Sequence, residues 1–258
     1  MNKPSFIYPI HLNSATVTAT DTAATVNGVN YSAANILEGT EDTSWRPLNN
    51  TGSKTLTIAL GGLLPVGQVA LLGNYLNGIT LEVRGSTDNF STSNVLLSAA
   101  ATISSSAFIT AYRRFTEAQY SHIRLIFSGF STSFEVQHVA ICRAVPLPYL
   151  ADGHDPDAFQ PTGTHLIGTA GTYLGATQQN TMRILNLDFG QITSGQYLPF
   201  QLWAEYCVMT IRPFFYVPNI DQPECYFGWV TDAKWKFSAP MKAGARKIAA
   251  IPFTGRVA

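Results

Sequence analysis

The loop Gly73-Asn74-Tyr75-Leu76-Asn77-Gly78 sets one aromatic ring among amide side chains. An aromatic face stacks on a sugar ring and amides hydrogen-bond its hydroxyls, so Tyr75 and Asn77 are candidate glycan contacts, with Arg46 a third. The same residues are also what an exposed β-turn carries. His154, Asp155, Asp157 and His165 come nearest to a metal cluster, because imidazole and carboxylate donors converge if their loop folds back. His-Asp and Asp-Pro are equally ordinary turn chemistry, and no metal or cofactor is expected. The sequence holds no Gly-x-Ser-x-Gly elbow, His-Glu-x-x-His helix, Gly-Lys-Thr phosphate loop or dinucleotide fingerprint. Glu82, Glu135, Asp188 and Glu224 are scattered acids, and nothing in the sequence selects a pair for two-carboxylate glycoside cleavage. The expectation is a protein that is not an enzyme.

Sixteen basic residues balance sixteen acidic ones. No field or basic run therefore recruits nucleic acid or an anionic membrane, and neither is expected as a partner. No apolar stretch reaches the roughly 20 residues of a membrane span. Met1 to Pro9 lacks the apolar segment of a secretory signal, so the chain is expected to be made in a cytoplasm and to stay there or leave inside something larger. With 46% hydrophobic and only 12% charged residues, it has ample core material and little charge to solvate a monomer surface, which hints at surface buried in an assembly. Cys142, Cys207 and Cys225 are widely spaced among apolar neighbours, which suits reduced buried thiols.

Elements of β structure must position these residues. Residues 15–20 and 24–31 read as short β segments, with Asn27-Gly28 supplying a hairpin turn. Further strands are expected over 54–61, 66–72, 78–85, 108–115, 122–127 and 134–142, with an Asp-containing turn at 86–90. Trp45, just ahead of the first long strand, is expected to be a buried packing anchor rather than a sugar-stacking residue. Turn signals every ten or so residues are the pattern of a sandwich or jelly roll.

The order of Asn35-Ile36-Leu37-Glu38-Gly39, then Thr43-Ser44-Trp45, a strand ending Leu60-Gly61, Val83-Arg84-Gly85-Ser86-Thr87-Asp88 and Ser121-His122-Ile123-Arg124-Leu125 resembles the galactose-binding-like sandwich of discoidin and coagulation-factor C domains. The resemblance covers residues 30 to about 145. It implies a jelly roll whose end loops bind sugars, lipids or proteins. Many such domains hold a structural calcium; Glu38 and Thr43 match two of its ligand positions, but His138 stands where the family has Glu, which disfavours the ion.

A Pro-rich hinge, 146–163, separates the expected sandwich, 1–145, from a second unit, 164–258. There, 182–189 reads as a strand and 194–208 as a helix whose stripe is Leu198, Leu202, Trp203, Tyr206 and Cys207, with Pro199 tolerable only in the first turn. Strands 212–218, 224–230 and 245–253 complete an α+β unit. Trp203, Trp229 and Trp235 are candidate subunit-interface aromatics, with core packing as the alternative. The succession strand, helix, Pro213-Phe214-Phe215-Tyr216-Val217-Pro218, Tyr226-Phe227-Gly228-Trp229-Val230 and terminal strand is similar to the ring-forming domain of bacteriophage distal tail proteins. That resemblance implies a structural component of the virion's tail tip or baseplate, a closed hexameric ring joining tail tube to tip, with other tail proteins and host surface glycan as partners. This chain places its sandwich ahead of the ring-like unit, unlike that family. A stand-alone carbohydrate-binding protein is the alternative reading, and a polysaccharide-degrading enzyme a third. The expected fold is thus mainly β: a jelly-roll sandwich followed by a smaller α+β domain with one main helix.

Overall fold

A computed structural model describes residues 3–22, 25–38, 42–104, 110–143, 147–148, 159–167, 173–189, 191–231, 237–240, 246–248 and 250–256. In chain order the elements are β1 (Ser5–Ile7), β2 (Thr16–Ala19), β3 (Lys54–Asn74), β4 (Thr80–Ser86), β5 (Val95–Thr102), β6 (Thr110–Ser128), β7 (Glu135–Cys142), β8 (Phe159–Ile167) and β9 (Tyr173–Leu187). There follow β10 (Gln191–Ile192), helix α1 (Ser194–Trp203), β11 (Phe214–Val217), β12 (Tyr226–Val230), β13 (Phe237–Pro240), β14 (Arg246–Ile248) and β15 (Ile251–Arg256). The fold is mainly β, a sandwich followed by a smaller α+β unit. No helix of the described residues is long and apolar enough to cross a membrane.

Leu56, Ile58 and Leu60 point into the core while Thr55, Thr57 and Ala59 are half-buried, the alternation that the sequence predicts. The strand does not stop at Leu60. β3 runs for 21 residues, pairing β2 along its first part and β7 along its last, with β6 beside it throughout. The expected strand pairs 54–61 with 66–72, and 108–115 with 122–127, are therefore single strands. Gly61-Gly62 and Pro65 read as a break but are absorbed as irregularities between Ala59 and Leu64, with Gly61 at φ +78°. Such bulges bend a strand, so both parts of β3 and β6 face one core, where Ile58, Val69, Leu71, Val83 and Leu125 meet. The Asn27-Gly28 turn is present, with left-handed φ at both residues, but it closes a single Val26–Val29 bridge rather than two strands. Trp45 is fully buried between Phe127 and Phe134, and its indole N–H donates to Asp21 O at 3.1 Å.

The second unit is a six-stranded antiparallel sheet in the order β1-β11-β12-β15-β9-β8, with a three-stranded sheet β10-β14-β13. Its first strand comes from the chain's N-terminus: Phe6 stands opposite Tyr216, which ties part of the expected first unit into the second. β8 begins at Phe159, inside the expected hinge. The helix fills the expected span, as α1 and then a π turn at Ala204–Val208, but only part of its expected stripe is buried. Phe200, Trp203, Ala204, Cys207 and Val208 are buried, whereas Leu198 is 61% and Leu202 40% exposed. Pro199 lies in the second turn, not the first. Phe6 explains the rotation: its ring stacks on Trp203 at 4.3 Å and meets Phe214 at 5.1 Å, turning the helix toward it.

The units share a third apolar cluster, in which Ala70, Leu72 and Ala140 on the outer face of β3 and β7 meet Phe215, Val217 and Phe227. Gln68, wholly buried there, donates to Ser5 Oγ at 3.1 Å and Arg143 O at 3.1 Å, so β1 is bonded to both units. Cys142, Cys207 and Cys225 are free and buried, and burial pushes the thiols of Cys142 and Cys225 up to about 11 and about 12.

Candidate functional site

The register that ends the sandwich assembles the site. β3 and β7 pair through Gly73↔Val136 and Asn74↔Glu135, so two strand ends and their loops open at one place. A Cβ at Gly73 would lie 2.0 Å from Glu135 O, which is why glycine stands there. Leu76 and Ile79 are buried and Ile79 N–H donates to Leu76 O at 3.1 Å, anchoring the loop by its apolar residues. Tyr75, at φ +59°, is turned outward and is 72% exposed.

Glu135 collects the polar side chains. Asn74 Nδ2 donates to its Oε2 at 3.2 Å, Ser44 Oγ to the same oxygen at 3.4 Å, and the Arg46 guanidinium lies 4.0 Å from Oε1. The Arg46 guanidinium also stands over the Tyr31 ring, 5.5 Å from its centroid. Trp45 fixes this edge, because its backbone N–H donates to Val136 O at 2.8 Å and its carbonyl oxygen accepts from Val136 N–H at 2.9 Å. Asn35 Nδ2 donates to Ser44 O at 2.9 Å, securing the residue before it.

Of the residues singled out in the sequence, Tyr75 and Arg46 flank this cluster, Tyr75 as the neighbour of Asn74 and Arg46 as the partner of Glu135. Asn77 is exposed on the same loop. Sequence reasoning missed Tyr31, Ser44 and Asn74 as members and left Glu135 among scattered acids. The available signal was that Glu135 opens a strand whose partner ends in the Asn74-Tyr75 loop. The arrangement offers an exposed ring, an amide, a carboxylate and a guanidinium. Together these stack on a flat face and both donate to and accept from hydroxyls.

Elsewhere, Trp203 is 1% exposed and packed within the chain, Trp229 is half-buried on β12, and Trp235 lies outside the described residues. His154, Asp155 and Asp157 also lie outside them, and His165 falls on β8. No group of three or more His, Cys, Asp or Glu residues that could hold a metal ion occurs among the described residues. Glu38 is exposed and Thr43 half-buried, while the third calcium position is an imidazole whose ring lies 4.8 Å from Phe227. Burial pushes the pKa of His138 down to about 4. A nitrogen donor backed by an aromatic ring does not fit a cation that takes six to eight oxygens.

No protein-family model matches the sequence, and no curated protein matches it. Among solved structures, the chain is similar to chitosan-binding module 1 derived from a chitosanase/glucanase of Paenibacillus sp. IK-5, at 17% identity and TM-score 0.45, over 52% of this chain and 98% of that one. It is similar to CpGH89CBM32-5 from Clostridium perfringens, solved with GalNAc-β-1,3-galactose, at 18% identity and TM-score 0.44, over 54% and 99%. It is also similar to the CBM32 of AlyQ, solved with 4,5-unsaturated mannuronic acid, at 20% identity and TM-score 0.43, over 54% and 99%. At these identities the likeness is one of fold, over about half of this chain.

Proposed function

We propose that the protein binds carbohydrate, without turning it over, through the end of the sandwich where Tyr75, Asn74, Arg46 and Glu135 meet. The observation that carries this reading is the convergence on Glu135 of an amide, a hydroxyl and a guanidinium beside a tyrosine 72% exposed. Fixed donors and acceptors next to an aromatic face suit a neutral polyol, whose hydroxyls do both. Glycoside hydrolysis uses two carboxylates roughly 5–9.5 Å apart; here the partner of the carboxylate is Arg46. A glycan array followed by calorimetry tests the reading on the full chain. Retention of at least one glycan, weakened tenfold or more by Tyr75→Ala or Arg46→Ala, is expected; an array with no retained sugar sinks it.

A second reading is favoured by Leu198, Leu202, Met209 and Ile211, which are 40–77% exposed on and just after the helix. In it the second unit packs against copies of itself as part of a phage tail tip or baseplate in the virion, with the sandwich projecting outward. Light scattering over a range of concentrations decides: a discrete ring-sized species supports this reading, and a monomer throughout removes it.

A further inference from the structure

A cleft of about 450 Å³ opens where the two units meet, bordered by Leu12, Leu37 and His138 of the sandwich and by Tyr206, Arg212 and Phe215 of the second unit. That volume is within the range of small-molecule sites. None of these six residues belongs to the cluster around Glu135, so the cleft is separate from the sandwich end.

Two features show construction rather than loose packing. His138 is 6% exposed, and its Nε2 is buried with no hydrogen-bond partner among the described residues. An unpaired polar nitrogen in such a place is costly unless something completes it. Arg212, on the other wall, is held in place: its Nη1 donates to Tyr206 Oη at 2.9 Å and its guanidinium lies over the Tyr206 ring, 4.9 Å from the centroid. Tyr206 Oη in turn donates to Asn13 Oδ1 at 2.8 Å. Among the described residues no carboxylate pairs with Arg212. A planar guanidinium fixed by its neighbours is a prepared receptor for a carboxylate. The cleft is also bordered by apolar side chains, Leu12, Leu37 and Phe215, with the Phe215 ring tilted at 58° to that of Phe227.

We propose that this cleft binds a small aromatic monocarboxylate, its carboxylate on Arg212, its ring against the apolar border of Leu12, Leu37 and Phe215, and one polar substituent toward His138 Nε2. Glu38 borders the same cleft and opposes a second negative charge, which selects against dicarboxylates. Because the walls come from both units, an occupant joins them.

4-Hydroxybenzoate is the probe, titrated into the full chain by calorimetry and saturation-transfer NMR, with 4-hydroxybenzamide as its uncharged counterpart. The expected dissociation constant for 4-hydroxybenzoate is about 1 mM or tighter, as suits a ligand of this size. Binding should weaken at least tenfold for the benzamide, and equally for Arg212→Gln, an exposed position whose replacement leaves the fold intact by thermal unfolding. His138→Phe, if it folds, should lose the preference for the hydroxylated probe over benzoate. Absence of 4-hydroxybenzoate binding below about 10 mM, equal affinity for the benzamide, or an Arg212→Gln variant that binds as wild type would overturn the proposal.

Discussion

The two cores of this molecule are built on opposite plans. The sandwich core is largely aliphatic and drawn from one continuous stretch, Leu12 to Ile141. The core of the second unit is crowded with rings, among them Phe189, Phe200, Trp203, Phe214 and Phe253, and it is completed by Phe6 from the opposite end of the chain. Aliphatic side chains on alternating strands pack by register, and many small contributions share the load. Edge-to-face rings concentrate the same stabilisation in a few residues, each harder to replace. The aliphatic positions of the sandwich should therefore tolerate single losses that the rings of the second unit do not.

The sharpest way to break that contrast is Phe6→Ala. We expect it to cost about 3–5 kcal/mol, all of it in the second unit, with the fluorescence-detected transition of Trp203 moving down while the sandwich transition holds. Trp45→Ala should do the reverse at similar cost, since Trp45 is the sandwich's large aromatic anchor. If both changes shift one common transition, the two cores unfold as one body and the contrast fails.

Next in size is a pH effect located where the cores touch. His138 has its pKa lowered from 6.5 to about 4 by burial, so it is neutral in the fold and takes up its proton in the unfolded chain at higher pH. Its contribution is present above about pH 6.5 and is lost as pH falls from there through about 4, up to about 3 kcal/mol in all. Urea unfolding at a series of pH values should show this slope for wild type, and a shallower one for His138→Gln.

Gly73→Ala probes the sandwich end. The new Cβ meets Glu135 O, so a loss of about 1–3 kcal/mol is expected, together with weaker glycan retention as Glu135 is pushed from Asn74. Smallest of all is Tyr75→Ala, expected to change stability by no more than about 0.5 kcal/mol while removing the exposed ring. A large stability loss at Tyr75 would mean that the ring belongs to the core.

The same contrast explains what could be read from the sequence. The sandwich was legible because Lys54 to Leu60, Leu81 to Val83 and Ile123 to Phe127 each announce their inward faces within a few residues. Its continuity was not, since a bulge at Gly61 looks like a turn when its neighbours are unknown. In the second unit the helix was legible from end to end, but its face only in part, through Trp203 and Cys207. The spacing of Leu198, Leu202 and Tyr206 made a plausible stripe, and the residue that turns the helix away from it, Phe6, lies nearly two hundred positions earlier. Three residues at Ser5–Ile7 carry no local sign of a partner at Phe215–Val217. Chemistry followed the same rule: Tyr75, Asn77 and Arg46 stand out by residue type, whereas Glu135 meets Asn74 and Arg46 only through the pairing of β3 with β7.

The borrowed first strand has a consequence for how the protein is made. β1 leaves the ribosome well before β11, its partner some two hundred residues later. At about 5–20 residues per second, Phe6 and Ile7 wait ten seconds or more while the sandwich between them and their partner is synthesised and closes. During that interval a short apolar strand hangs from the nascent chain as bait for chaperones and for neighbouring chains alike, and its edge is covered only once β11 has emerged.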